Sequence, residues 1–227
     1  MVDMQGKIFG TISSLSLLLL FLYVAIHVPT FSMSTYQNHY DYFGTANIIG
    51  ISDEDLLAVT KRLLGYISGR YNDLQIYATV QGVYRPFFTQ REIYHMADVL
   101  LLFNIARLMA AFCLVIVVAT WFWAIKRKAL RIFYKTNFIA GLVVCVFVLM
   151  LAILFSNDFV YHFHRFHDIF FFFDYEQLWL LDPRYDMLIN MVPYDFFINI
   201  FISVGIIFSS LTVLLTVSFG ILMYKRK

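Results

Sequence analysis

Charged residues are scarce in this sequence. Only 14% of its 227 residues are Asp, Glu, Lys or Arg, whereas about 25% is usual in soluble domains. Hydrophobic residues make up 61% of the chain and aromatic residues 19%. Because so few charged side chains cannot cover a surface in contact with water, this composition predicts an integral membrane protein.

Cysteines and nucleophile motifs are also scarce. Cys113 and Cys145 both lie in long apolar runs, so neither a disulfide nor a thiolate metal site is predicted. The Gly-x-Ser-x-Gly motif of many hydrolases is absent from the sequence. If the protein is an enzyme that uses histidines, we therefore expect it to transfer a group directly or to activate an external nucleophile. No internal repeat or linker divides residues 1–227, which predicts a single membrane domain.

Four apolar runs are long enough to cross a bilayer, which takes roughly 20 helical residues. They cover about residues 8–31, 97–125, 136–156 and 196–224. The first run follows Lys7 and has some features of a cleavable signal peptide, but its length and the three later runs predict an uncleaved anchor. The predicted fold is an all-α integral membrane protein with four transmembrane helices.

Positive charge predicts the orientation. The connection 126–135, KRKALRIFYK, is basic and contains no acid, and three more basic residues end the chain at 225–227. Basic residues beside spans stay cytoplasmic, so we expect both termini and this loop on the cytoplasmic side of the cell membrane. The extracytoplasmic segments 32–96 and 157–195 then form a small cap. All of the acidic residues except Asp3 lie in or beside these segments, and no outer surface is basic enough to bind nucleic acid.

The first outer segment contains one clear helix signal and one strand signal. After a loose stretch rich in turn formers, STYQNHYDYFGTAN, the stretch SDEDLLAVTKRLLGYISGRY predicts a helix capped by Ser52 and stopped near Gly69. This helix either packs on the outer face of the bundle or lies among lipid headgroups. The next stretch, DLQIYATVQGVYRPFFT, alternates as a short strand pair does.

A second helix is predicted to start near Gln90, capped by Thr89 with Glu92 three residues further on, as in a capping box. At 100° per residue, Arg91, His95 and Asp98 fall on one narrow stripe of it. Charged neighbours one turn away on each side can set the tautomer and the pKa of His95. The alternative is a salt-bridge network that only anchors the end of the helix, and for a lone histidine that alternative is favoured.

The stretch HFHRFHDIFFFF, residues 162–173, carries three of the six histidines. In a continuing helix His164, His167 and Asp168 share one face, whereas His162 points away. The cluster has four interpretations: a zinc or copper site, haem ligation, acid–base chemistry on a lipid at the outer leaflet, or a structural cap of hydrogen-bonded aromatic residues and histidines. Spacing alone leaves all four open.

Two motifs together carry a resemblance to a known family. FTQREIYHMADV (88–99) and FHDIFFFFDYEQLWLLDPRYDMLINMVPYDFF (166–197) resemble the lipoprotein intramolecular transacylase family, Lit, of Gram-positive bacteria. The resemblance implies transfer of the sn-2 acyl chain of a diacylglyceryl-modified lipoprotein onto the α-amino group of its N-terminal cysteine, giving an N-acyl lyso-form. It also implies that His95 and His167 are the catalytic pair.

The resemblance implies chemistry that suits the missing nucleophile motif, because the attacking amine belongs to the substrate. We expect His95 as base and His167 as oxyanion stabiliser or acid, or the reverse, with Arg165 as another candidate oxyanion donor. The supporting residues are expected to be Arg91, Asp98, His164, Arg165 and Asp168. The phenylalanine run and Trp179 suit an acyl-chain groove.

The expected partners are diacylglyceryl lipoproteins and membrane lipid, with no cofactor or metal, and the chain is expected to be a monomer. One alternative is an outer-leaflet lipid hydrolase or an acyltransferase acting between two molecules. A further alternative is a non-enzymatic membrane protein that binds a metal or haem through its histidines.

Overall fold

The computed structural model describes residues 2–172 and 176–225. Five residues used in the sequence predictions, Phe173, Asp174, Tyr175, Arg226 and Lys227, lie outside these ranges. The elements in chain order are α1 (Val2–Thr30), α2 (Met33–Phe43), α3 (Thr45–Ile49), α4 (Asp53–Ile67), β1 (Tyr77–Val80), β2 (Val83–Pro86), α5 (Gln90–Lys126), α6 (Leu130–Asn157), α7 (Phe159–Phe170), α8 (Met187–Met191) and α9 (Tyr194–Tyr224).

Within these ranges, four helices are long and apolar enough to cross a membrane, namely α1, α5, α6 and α9. The prediction of a mainly helical, four-span integral membrane protein is confirmed. The predicted loop 126–135 is too long, because α6 already begins at Leu130 and only Arg127–Ala129 connects it to α5. The helix extends this far because Phe133 and Tyr134 are buried and stabilise its first turns.

The chain folds into two compact units. The span unit comprises the residues up to His27, those from Ala106 to Asp158 and those from Phe201 onward. The histidine unit comprises Val28–Ile105 and Phe159–Ile200, and it contains every histidine except His27. The single membrane domain expected from the sequence stays a prediction.

The helices of the span unit expose apolar side chains. Leu108, Phe112 and Leu214 are each more than 60% exposed, which suits contact with lipid tails that are as apolar as leucine. One buried polar pair joins two of its helices, since the hydroxyl of Ser14 donates a hydrogen bond to Oδ1 of Asn137 at 2.9 Å. The unit therefore has the apolar outer surface that is expected of a helical bundle in a bilayer.

Helix α4 packs its apolar face into the core of the histidine unit. Its N-cap is Ser52, whose hydroxyl accepts a hydrogen bond from the N–H of Asp55 at 3.1 Å, as the sequence predicts. The side chains that recur at helical spacing are all buried: Leu56, Val59, Leu63, Leu64 and Ile67. This burial shows that the apolar face of α4 packs within the histidine unit.

Strands β1 and β2 form an antiparallel hairpin, with Tyr77 opposite Pro86. The two turn residues, Gln81 and Gly82, have φ angles of 52° and 80°, as the preferred two-residue hairpin turn requires. The strand alternation predicted from the sequence is confirmed here, and it adds a small sheet to the otherwise helical fold.

The stretch expected to be loose is helical instead. Helices α2 and α3 occupy it, separated by Gly44, whose φ of 63° allows the first helix to end and the second to begin. Tyr36 and Tyr40 of α2 are buried in the core of the unit. Tertiary packing of these aromatic rings therefore outweighs the local turn propensity of the stretch.

The histidine motif occupies a helix of its own. Helix α6 ends at Asn157, Asp158 has φ −154° and ψ 87°, and α7 begins at Phe159. The helical periodicity assumed for the motif is nevertheless present, because α7 runs through to Phe170.

Candidate active site

His95 lies in the second turn of α5, in a helix start that is tightly defined. The backbone N–H of Glu92 bonds the hydroxyl of Thr89 at 3.3 Å, and the N–H of Thr89 bonds Oε2 of Glu92 at 2.6 Å. These two bonds form a complete capping box, as the sequence predicts. The imidazole of His95, one turn further on, is only 7% exposed.

His167 lies in the last turns of α7 and is 9% exposed. Its Nδ1 is 2.8 Å from the carbonyl oxygen of Phe163, one turn earlier in the same helix. A carbonyl can only accept, so Nδ1 carries the proton in this bond and Nε2 carries the lone pair in the neutral ring. The backbone thus selects the tautomer of His167.

The two histidines face each other inside an aromatic enclosure. Their ring centroids are 6.3 Å apart with the planes inclined by 36°. The ring of Phe171 lies 5.2 Å from His95 and stacks on His167 at 5.5 Å. Phe163 and Trp179 approach His167 to 4.3 Å and 5.0 Å. The structure therefore brings together the two residues that the sequence pairs.

Burial sets the protonation of His167. Desolvation lowers its pKa below the usual 6.5, and the positive charge of His164 lowers it further; the Phe163 carbonyl and the negative charge of Asp168 oppose this shift. Since desolvation is the largest of these effects, the neutral ring is favoured at neutral pH. A neutral imidazole with its lone pair on Nε2 is able to accept a proton.

His164 shares this environment from the adjacent side of α7. Its Nε2 is 3.0 Å from the hydroxyl oxygen of Tyr194, and its ring contacts Trp179 edge-on at 5.3 Å. The helical wheel predicts that His164 and His167 share a face, and both do contact the same indole. His162 instead contacts the ring of Tyr161 at 5.2 Å.

Arg91, predicted on the His95 stripe together with Asp98, contacts a distant loop of the unit. Arg91 donates hydrogen bonds to the carbonyl oxygens of Gln177 at 2.7 Å and Leu178 at 3.4 Å. Asp98 is half-buried. Burial raises the pKa of the Tyr66 phenol, and the negative charges of Asp73 and Asp98 raise it further, so Asp98 acts electrostatically within the same unit.

Arg165 and Asp168 form an exposed ion pair on α7, with 3.3 Å between Nη1 and Oδ2. Arg165 also donates to the hydroxyl of Tyr161 at 3.3 Å. The structure thus places Arg165 with surface partners, whereas Asp168 acts on His167 through its charge.

Several contacts of the site are not singled out by the sequence. Glu92 is predicted as a capping residue, but its other oxygen, Oε1, also accepts from the buried backbone N–H of Leu188. Tyr194 lies inside the second family motif, where only its position after Pro193 could have drawn attention. These contacts join residues far apart in the chain, and helical periodicity carries no information about them.

In the described ranges, no three His, Cys, Asp or Glu side chains are placed to hold a metal ion. Cys113 and Cys145 are free thiols.

Comparisons with known proteins identify a matching family and solved structures with a similar fold. The family model for lipoprotein intramolecular transacylase Lit matches residues 11–197. The solved structure of the membrane-integral transacylase Lit from Bacillus cereus matches with a TM-score of 0.80 at 17% identity, covering 98% of this chain and 97% of that one. Two variants of that protein, with one histidine replaced by arginine or by alanine, match with TM-scores of 0.76 at 17% identity, covering 98% of this chain and 93% and 95% of theirs.

No curated protein matches the chain by sequence. The low identity to the solved structures limits them to showing the fold. The family model, in contrast, spans most of the chain, including both helices that carry the paired histidines. The chain therefore belongs to the lipoprotein intramolecular transacylase (Lit) family, and it is an integral membrane acyltransferase.

Proposed function

We propose that this enzyme moves the sn-2 acyl chain of a diacylglyceryl lipoprotein onto the α-amino group of the N-terminal cysteine, with His95 and His167 as catalytic residues. The observation that carries the proposal is the buried, facing pair of imidazoles, 6.3 Å apart between centroids. That spacing leaves each ring able to reach a different atom of one reacting ester. The product is an N-acyl lyso-form lipoprotein.

His167 is the base in this mechanism. Its Nδ1–H is donated to the Phe163 carbonyl, which leaves the lone pair on Nε2, and burial lowers its pKa so that the ring is neutral. An α-amino group has a pKa of about 7.7–8.0, close enough for a histidine to take its proton as the amine attacks. The sequence prediction preferred His95 as the base but left the reverse open, and the tautomer of His167 supports the reverse.

The reaction conserves protons without a cofactor. The amine nitrogen forms a bond to the ester carbonyl carbon while Nε2 of His167 takes the N–H proton. The tetrahedral oxyanion then collapses, the bond from the carbonyl carbon to the glyceryl oxygen breaks, and His167 returns the proton to that oxygen. The acyl chain ends as an amide on the cysteine, and the glyceryl C2 oxygen ends as a hydroxyl.

His95 stabilises the oxyanion by donating a ring N–H to it. One positioned donor is worth about 3–4 kcal/mol in comparable reactions. The nucleophile and the ester belong to the same molecule, so much of the entropic cost of bringing them together is already met. Phe163, Phe171 and Trp179 keep water away from the imidazoles, which protects the ester from hydrolysis.

The site is proposed to face outward at the surface of the cell membrane. The basic residues 126–135 and the basic C-terminus support this orientation, because positive flanks remain cytoplasmic. The outer surface is where a diacylglyceryl lipoprotein presents both its ester and its amine.

Substitution of each histidine tests the proposal. His95→Gln and His167→Gln are expected to lower the rate of lyso-form production at least 10²-fold, the usual contribution of an acid–base group. His162→Gln is the matched control from the same motif and is expected to keep its activity. The product is identified by mass spectrometry of the N-terminal lipopeptide from a host that makes diacylglyceryl lipoproteins.

Two results would contradict the proposal. Full activity in both variants would show that the pair is not catalytic. Release of free fatty acid by the unmodified enzyme, with no N-acyl cysteine, would indicate a hydrolase instead.

A further inference from the structure

We infer that Arg91 is a positioning residue, which holds the indole of Trp179 against His167 by binding the backbone of Gln177 and Leu178. The inference rests on the proposed catalytic role of His167. It differs from the expectation that Arg91 tunes His95 directly, because the guanidinium acts here through a loop.

The Arg91 contact is a bridge from a helix to a loop. Its side chain leaves the first turn of α5 and donates to two consecutive carbonyl oxygens, at 2.7 Å from Gln177 and 3.4 Å from Leu178. The rigid guanidinium presents several N–H donors in a fixed plane, so it can satisfy two acceptors at once. Gln177 has a φ of 50°, an uncommon conformation for a residue other than glycine, and the hydrogen bond helps to hold it.

The residue that follows this anchor is Trp179. Its ring lies 5.0 Å from His167 with the planes inclined by 31°, and it meets His164 edge-on at 5.3 Å. The indole therefore covers one side of the proposed base, His167, and limits the rotation of the His164 and His167 rings. Because Leu178 is adjacent in the chain, a displacement of its carbonyl also displaces the indole.

The same turn of α5 holds the far end of this loop. Glu92 accepts a hydrogen bond from the N–H of Leu188, and the hydroxyl of Thr89 donates to Oδ1 of Asp186 at 3.0 Å. Two consecutive residues, Arg91 and Glu92, thus fix opposite ends of the segment that carries Trp179. The helix that carries His95 consequently also sets the position of the indole.

The hydrogen bonds of Arg91 go to the carbonyl oxygens of Gln177 and Leu178, so its effect on the rate is expected to pass through the neighbouring Trp179. A misplacement of about 1 Å among reacting groups can cost about 10²-fold in rate. Arg91→Ala is therefore expected to lower kcat about 10- to 100-fold, with a smaller change in KM.

A double-mutant cycle tests the route. The rate of acyl transfer on a synthetic diacylglyceryl lipopeptide is measured for Arg91→Ala, for Trp179→Ala and for the double variant of the full-length enzyme. If Arg91 acts through the indole, the double variant is no slower than Trp179→Ala. Multiplied effects, or normal kcat in Arg91→Ala, would overturn the inference. Arg91→Lys, which can reach one carbonyl, is expected to recover part of the rate.

Arg62→Ala is the matched control. Arg62 also ties a loop to a helix of the histidine unit, through Asp73 at 3.2 Å and the ring of Tyr71 at 3.8 Å. Its loop does not carry Trp179, so kcat is expected to be unchanged. An equal loss in both arginine variants would indicate a general effect on stability and would contradict a specific positioning role.

Fluorescence gives a readout that does not depend on activity. The protein has three tryptophans, and Trp121→Phe with Trp123→Phe leaves Trp179 as the only tryptophan, which is excited selectively over the tyrosines. Arg91→Ala in this background is expected to shift the emission maximum to longer wavelength, because the indole becomes more exposed to water, while Arg62→Ala leaves it unchanged. An unshifted maximum in Arg91→Ala would overturn the inference.

These measurements separate the two proposals. If His95→Gln and His167→Gln remained active, the catalytic assignment would fail, but the emission shift would still report whether Arg91 holds Trp179. If both histidine variants were inactive and the arginine and tryptophan effects multiplied, only the positioning role would fail.

Discussion

Replacing Glu92 by alanine removes a carboxylate that holds two separate segments of the histidine unit. The side chain is completely buried. One oxygen accepts from the N–H of Thr89 at 2.6 Å, and the other accepts from the N–H of Leu188 at the start of α8. Glu92→Ala leaves both donors without this acceptor, and the Leu188 N–H is buried.

The expected loss of stability follows from the two N–H donors, those of Thr89 and Leu188. A buried polar group without a partner costs about 1–3 kcal/mol, and the half-buried Thr89 N–H belongs at the lower end of that range. Removing the carboxylate also removes the cost of desolvating it, which offsets part of the loss. After this offset, we expect Glu92→Ala to lower the free energy of unfolding by about 1–3 kcal/mol. Glu92→Gln keeps one acceptor oxygen, so its loss is expected to be about half as large.

Thermal unfolding of the detergent-solubilised protein measures this loss, followed by the emission of Trp179 in the Trp121→Phe, Trp123→Phe background. Glu54→Ala is the matched control, because Glu54 is an exposed acid in the first turn of α4 and is worth less than about 1 kcal/mol there. Two results would refute the role of Glu92 in holding the two segments: a Glu92→Ala variant as stable as Glu54→Ala, or a Glu92→Gln variant less stable than Glu92→Ala.

Two further predictions concern buried histidines. His39 is 6% exposed, and among the described residues neither of its ring nitrogens has a hydrogen-bond partner, so His39→Phe is expected to stabilise the unit by about 1–2 kcal/mol; an unfolding temperature below that of the parent would contradict this. Burial lowers the pKa of both His39 and His167 below 6.5, so the unfolded chain binds protons first as pH falls. Stability is therefore expected to decrease as pH falls below about 6.5 and to level off below the folded-state pKa values. The decrease is expected to be smaller in His39→Phe. Constant stability from pH 7.5 to 5 would refute the lowered pKa values of the two histidines.

Local signals account for the elements that the sequence predicts correctly. Ser52 and Thr89 cap helices because the hydrogen bonds involved close within three residues, and such bonds depend on the residue types alone. The four spans follow from long apolar runs. The hairpin follows from strand alternation around Gln81 and Gly82, whose conformation suits the turn.

Tertiary packing accounts for what the sequence does not predict. Helix α2 forms in a turn-rich stretch because Tyr36 and Tyr40 are buried in the core. The contact between Arg91 and the carbonyl of Gln177 joins a helix to a distant loop, and neither residue type predicts the other. The motif indicated that His167 belonged to the site, but its tautomer depends on the Phe163 carbonyl, which could be inferred only once the stretch is known to be helical.

The phenylalanine-rich surroundings of His167 bear on why the proposed reaction is a transfer and not a hydrolysis. Water competes with the amine for the same ester, and both can use a neutral histidine as base. Rings at 4.3 Å and 5.5 Å from His167 remove water from around this proposed base and, by the same desolvation, lower its pKa. The tethered amine does not need to be recruited from solution, since oriented groups in one molecule reach effective concentrations of roughly 10⁵ M or more. An enclosure that excludes water therefore penalises hydrolysis far more than transfer, and opening it at Trp179 should raise the share of free fatty acid among the products.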